Sequence, residues 1–153
     1  MMFFLAFTLG CHTSQFDIST TDRLLAHGVD AVVGSNDYFV DLLMNFWSYY
    51  SMQYLQTIDP NTGSYYVIGV ALEESFNHSK QQILEFIPAF EGREDRMREF
   101  FDREEEPGIP ARTFSWDFEE LIYTNQPDGE NVLNSSIYPA RFGRRLLRVP
   151  VEN

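Results

Sequence analysis

The chain predicts an α+β fold: a small mixed sheet of about four strands packed against a long aromatic helix and two to three shorter helices. Three stretches carry that expectation. Residues 65–72, Tyr-Tyr-Val-Ile-Gly-Val-Ala-Leu, are apolar throughout and read as a strand covered on both faces, so the sheet is expected to centre on it. Residues 36–56 place Phe39, Leu42, Leu43, Phe46, Tyr50 and Tyr54 on one helical stripe. Residues 112–124 alternate, with Phe114, Trp116 and Phe118 against Thr113, Ser115, Asp117 and Glu119, as a half-exposed strand does.

From the N-terminus, residues 2–10 are apolar and look like the core of a signal peptide, with Gly10-Cys11 hinting at a lipoprotein cleavage site. No Lys or Arg precedes them and the run is short for that purpose, so a strand beside the central one is the better reading. Residues 20–33 predict a first helix, capped by Thr20 or Thr21 and weakened by Gly28. In the 36–56 helix, Trp47 and Tyr49 widen the apolar stripe beyond one core face, and no charge occurs from Leu42 to Ile58. Asn45, Ser48, Ser51, Gln53 and Gln56 interrupt the stretch, and no basic flank anchors it, which argues against a membrane span. A helix buried on two sides is expected, the second side facing its own domain or a neighbouring chain.

Asp59-Pro60-Asn61-Thr62-Gly63 is a dense turn signal ahead of the central strand. A helix is expected over 79–90, with Ser79 and Gln82 as a capping box and Pro88 and Gly92 as stops. A charged helix follows over about 93–105, its Glu94/Arg98 and Glu99/Arg103 pairs spaced to support an exposed surface. Pro127-Asp128-Gly129 predicts a turn into a last strand over about 131–138. One domain is expected over 1–138, with residues 139–153 as a basic C-terminal arm.

Charge is segregated. The 153 residues hold 23 acids and 11 bases, a formal net of -12, yet the last fifteen hold four Arg and one acid. Such a balance opposes autonomous nucleic-acid binding and adhesion to anionic membranes. It suits protein partners or copies of the chain itself. Ten of the eleven bases are Arg, the residue fitted to planar, bidentate pairing.

Chemistry is sparse. The single cysteine, Cys11, excludes an internal disulfide and a Cys-based zinc site, and leans the chain to a reducing compartment. Glu74 and His78 are four apart, a spacing for two metal ligands, but no third ligand is nameable, so no metal and no cofactor is expected. His12-Thr13-Ser14 follows an apolar run as in two-histidine phosphoesterases, and the second motif such enzymes need is missing. No phosphate-cradling glycine loop, zinc-protease helix motif, nucleophile elbow or calcium loop occurs. Carboxylate pairs such as Glu73/Glu74 and Glu119/Glu120 are solvated surface in so acidic a chain, and two glycosylation triplets, at Asn77 and Asn134, carry no weight without a secretory context.

These readings lead to a soluble, non-enzymatic structural or adaptor protein inside a larger assembly, a virion component such as a phage head, neck or tail protein being one concrete version, or a cytoplasmic one. An acidic inhibitor or immunity-type module masking a basic site is the alternative, followed by a small hydrolase using Glu74 and His78. The expected interface comprises Trp47, Tyr49, Tyr50 and Tyr54 on the long helix, with Arg141, Phe142, Arg144, Arg145, Leu146 and Arg148 on the arm.

Overall fold

A computed structural model gives the architecture over residues 4–15, 19–102, 117–124 and 128–136. It is α+β. Strand β1 (Leu5–Phe7) is followed by helix α1 (Thr20–Ala26) and strand β2 (Ala31–Val33). Helices α2 (Asp41–Tyr54) and α3 (Ile68–Phe86) come next, then a short 3-10 turn (Pro88–Phe90) and α4 (Glu94–Asp102). A second 3-10 turn (Phe118–Leu121) leads into β3 (Ile122–Thr124), followed by α5 (Asp128–Leu133). Among the described residues the sheet has three strands in the order β1-β2-β3. β1 and β2 are parallel, with Leu5 opposite Ala31, and β2 and β3 are antiparallel, with Val32 opposite Tyr123.

The centre of the sheet is Ala31–Val33, all three residues fully buried, and not residues 65–72. Two local effects moved it. The first helix is shorter than the 20–33 stretch because Gly28 takes φ +90°, a left-handed conformation that ends it and frees the β-branched pair Val32-Val33 for the sheet. That helix is capped by Ser19: its hydroxyl accepts the Asp22 N–H at 3.1 Å, and the Asp22 carboxylate accepts the Ser19 N–H at 3.3 Å.

The stretch 65–72 splits. Tyr65 and Val67 make isolated bridges to Ile58 and Ser136, and the chain turns helical at Ile68. A short apolar run has no period of its own to separate strand from helix. The residues beyond it supply one: Ile68, Ala71, Leu72, Ser75, Phe76, Ser79 and Ile83 form the buried stripe of a single 19-residue helix. Ser79 is therefore mid-helix rather than a cap, its hydroxyl donating to the Ser75 carbonyl at 2.6 Å. The 59–63 turn is present, with Gly63 at φ +70°, and Gly92 at φ +68° follows the Pro88 turn.

The long aromatic helix runs from Asp41 to Tyr54, and the charged one from Glu94 to Asp102. Near the C-terminus, Asp128–Leu133 is helical where a turn and strand were expected, and Val132 reaches the core as a fully buried side chain. Of the alternating stretch, Ile122–Thr124 is strand and Phe118–Leu121 is 3-10; residues 112–116 lie outside the described residues.

The core is the seam between α2 and α3, closed by β2 and the Phe118 turn. Trp47 is fully enclosed, edge-on to Phe76 at 5.0 Å and to Phe39 at 5.9 Å. Its indole N–H donates to the Leu72 carbonyl at 2.9 Å, so burial leaves no donor unsatisfied. Ser51 and Ser75 share a hydrogen bond at 3.0 Å across the seam, and the Ser75 hydroxyl also lies 2.9 Å from the Leu72 carbonyl. Each large apolar side chain removed from water here contributes roughly 1.5–3 kcal/mol.

Candidate functional site

The parallel pair places two loops side by side at the carboxyl ends of β1 and β2. The first, Thr8–Gln15, follows β1; the second, Gly34–Tyr38, follows β2. Each is an apolar strand followed by small and hydroxyl-bearing residues, and the hydroxyls stitch one loop to the other. The Thr8 hydroxyl donates to the Val33 carbonyl at 2.8 Å, and the Thr13 hydroxyl accepts the Ser35 N–H at 2.9 Å. The Ser14 N–H donates to the Ser35 carbonyl at 2.9 Å, while its hydroxyl meets that of Thr21 on α1 at 2.6 Å. Gly34 sits at the hub: a Cβ there would lie 2.6 Å from the Ser14 hydroxyl and 2.7 Å from that of Thr21.

Cys11 and His12 form the tip. Cys11 is exposed, and its Sγ accepts the Phe39 N–H at 3.4 Å and lies 3.7 Å from the Phe39 carbonyl. His12 has φ 58°, the left-handed region where a side chain is strained. Its N–H donates to the Asp37 carbonyl at 3.0 Å and its ring stands edge-on to Tyr38 at 4.5 Å. This is the position, beyond the carboxyl ends of parallel strands, where open α/β sheets bind ligands. A thiol there offers a soft nucleophile or ligand, effective as the thiolate.

The expectations for Cys11 concerned disulfides, zinc and a lipoprotein cleavage site, and those for His12 a paired-histidine motif. The missed signal was a repeated pattern: Phe7-Thr8-Leu9-Gly10-Cys11-His12-Thr13-Ser14 and Val33-Gly34-Ser35-Asn36-Asp37 each run from an apolar strand into small polar residues.

The expected interface residues divide. Trp47 belongs to the interior, so its place at an interface is corrected: the side of α2 that carries it faces α3, whose Leu72 carbonyl holds its indole. Tyr49 is 59% exposed. Tyr50 is half-buried and stacked on His78 with ring centroids 4.0 Å apart. The Tyr54 hydroxyl lies 3.3 Å from His78 Nδ1, and burial first, then the Glu74 charge, pushes its ionisation above the ordinary tyrosine value. The outer face of α2 is thus Asp41, Asn45, Tyr49, Met52 and Gln53, exposed and uncharged beyond Asp41 in its first turn. Arg141, Phe142, Arg144, Arg145, Leu146 and Arg148 lie outside the described residues.

Glu74 and His78 occupy successive turns of α3, but among the described residues no three His, Cys, Asp or Glu side chains gather as a metal site. No described helix is long and apolar enough to cross a membrane. An open hollow of about 510 Å³ lies between the end of α3 and the start of α4, lined by Leu84, Glu85, Pro88, Glu91, Arg93 and Glu94 among others. Glu94 pairs there with Lys80 at 2.6 Å and Arg98 pairs with Asp117 at 3.3 Å, so the Glu94/Arg98 pair expected along α4 gives way to two contacts between elements. The chain matches no protein-family model, no curated protein and no solved structure.

Proposed function

We propose that this chain is a protein-binding module, structural or adaptor in role, that works within a multi-subunit assembly. The observation that carries the reading is the outer face of α2. It exposes Tyr49 at 59% and Met52 at 40% on a stretch without a single charge from Leu42 to Ile58, in a chain of net charge -12. Aromatic and Met side chains with charge depleted around them are the composition of an interface centre. A photo-crosslinking amino acid placed at position 49, in cells that make the protein, tests it. A discrete adduct is expected there and not from the exposed, acidic position 73 on α3. Equal labelling at both positions, or none at 49, refutes the reading.

A second reading is favoured by the placement of Cys11. On it, the exposed thiol at the carboxyl end of the sheet binds or attacks an electrophilic ligand. Alkylation of Cys11 is then faster in the folded chain than in the urea-unfolded chain at the same pH; an equal or slower rate removes the reason for it.

A further inference from the structure

We propose that the outer edge of β1 pairs with the same edge of a second copy of the chain, extending the three-stranded sheet to six strands. The inference shares with the assembly reading the premise of contact between chains, but places it on the sheet and not on α2.

The ladder itself shows which backbone groups are spoken for. The Ala31 N–H donates to the Phe4 carbonyl at 3.2 Å and the Thr8 N–H to the Val33 carbonyl at 2.7 Å. Residues 4, 6 and 8 therefore direct their amides toward β2, and Leu5 and Phe7 direct theirs away from it. No described strand lies on that side, since β1 ends the order β1-β2-β3. Leu5 and Phe7 thus present two N–H groups and two carbonyls in strand geometry.

The edge is short, and among the described residues it carries no charge, proline or bulge to guard it. Residues 4–9, Phe-Leu-Ala-Phe-Thr-Leu, contain no charge, no proline and no glycine, and Phe4 at its head is 51% exposed. Soluble proteins blunt such edges with lysine, proline or a bulge. A parallel strand, moreover, is ordinarily flanked and covered.

The sequence of the edge selects the occupant. An antiparallel pair of identical strands places one residue on the two-fold axis; Leu5, Ala6 or Phe7 can stand there, and Ala6 is the register that pairs both outward-facing residues, Leu5 and Phe7, at once. Leu5 then exchanges both hydrogen bonds with Phe7 of the partner copy, an aliphatic–aromatic pair on the face that already packs against the core. Ala6 meets its own copy at the closely spaced, non-hydrogen-bonded position, where Cα atoms approach to about 4.5 Å and a small side chain fits best. Two bodies of charge -12 repel, so the pairing strengthens as salt screens them.

The test uses the full chain. Hydrogen exchange at the Leu5 and Phe7 amides of the unaltered protein is expected to slow with protein concentration and added salt, while Ala6 and Thr8 stay protected throughout. In a Cys11→Ser background, Ala6→Cys is expected to form a disulfide-linked dimer on oxidation and Phe4→Cys is not, since only position 6 lies on the axis. Ala6→Lys sets two ammonium groups face to face and lowers self-association at least tenfold, whereas Tyr49→Arg leaves it unchanged. A monomer at all concentrations, or concentration-independent protection of Leu5 and Phe7, overturns the proposal; the latter means the edge is covered within one copy. Self-association lost in Tyr49→Arg and kept in Ala6→Lys overturns it while upholding the α2 reading.

Discussion

Between α2 and α3, the few buried polar groups are bonded within or between two helices. Trp47 and Ser75 share the Leu72 carbonyl, and Ser51 meets Ser75. At the carboxyl end of the sheet, the hydroxyls of Thr8, Thr13, Ser14 and Thr21 instead tie β1, α1 and the loop after β2 together. The first region is held by apolar area with hydrogen bonds as accessories. In the second, hydrogen bonds do most of the holding and little area is buried. The difference matters for function: a packed seam tolerates no outside partner, whereas a hydrogen-bonded loop pair keeps Cys11 and the Tyr38-flanked His12 at the surface.

The sharpest way to break the comparison is to empty the seam. Trp47→Ala should cost about 3–5 kcal/mol, read from urea denaturation, because it removes the largest enclosed side chain together with its hydrogen bond to the Leu72 carbonyl. A loss below about 1 kcal/mol would mean that the seam is not the main source of stability. At the sheet end the test is the hub. Gly34→Ala should cost about 1–3 kcal/mol, since its Cβ needs Ser14 and Thr21 to move, and removing one hydroxyl with Ser14→Ala should recover part of the loss. The cap is a smaller lever: Ser19→Ala should cost about 1 kcal/mol and detach α1 first, detectable by exchange at the Asp22 and Arg23 amides.

Alkaline pH acts on both regions with the same sign. Burial is the main cause that raises the ionisation of Tyr54 and Tyr66 near the seam and of Tyr123 on β3 above the ordinary value of 10.0. The folded chain holds those phenolic protons after the unfolded chain has begun to release them. Their contribution to stability is therefore whole below pH 10.0 and declines as pH rises above it. Tyrosinate absorbance should show these three ionising at higher pH in the folded chain than in the urea-unfolded chain; titration at the same pH in both contradicts the burial described. Smallest of all, Tyr49→Ser should change stability by no more than about 0.5 kcal/mol, as the residue is 59% exposed. A larger loss would place Tyr49 in the home core.

The helices with long periodic stripes were legible in the chain. In α2, Leu42, Leu43, Phe46, Tyr50 and Tyr54 recur with helical spacing often enough to outvote any one residue, although its fully buried face is Leu43, Trp47 and Ser51. The Asp59–Gly63 turn was legible for a different reason, because proline and glycine act locally. Residues 65–72 were not: eight apolar residues satisfy strand and helix alike, and the part from Ile68 on is helical because it continues the buried stripe that runs to Ile83 and packs against α2. The site at Cys11 was illegible for a third reason. Its parts stand at residues 8–15, at Thr21 and at 34–39, and nothing local says that β1 and β2 run parallel and bring them together.

Composition and period, then, determined the α+β class, the aromatic helix, the charged helix and the acidic balance, since each is a property of adjacent residues. Tertiary structure alone decided which short apolar run became the central strand, that Trp47 faces inward and Tyr49 outward, and that β1 ends the described sheet. Short strands have too little local preference to choose a neighbour. Their pairing is selected by the area that the whole chain buries at once.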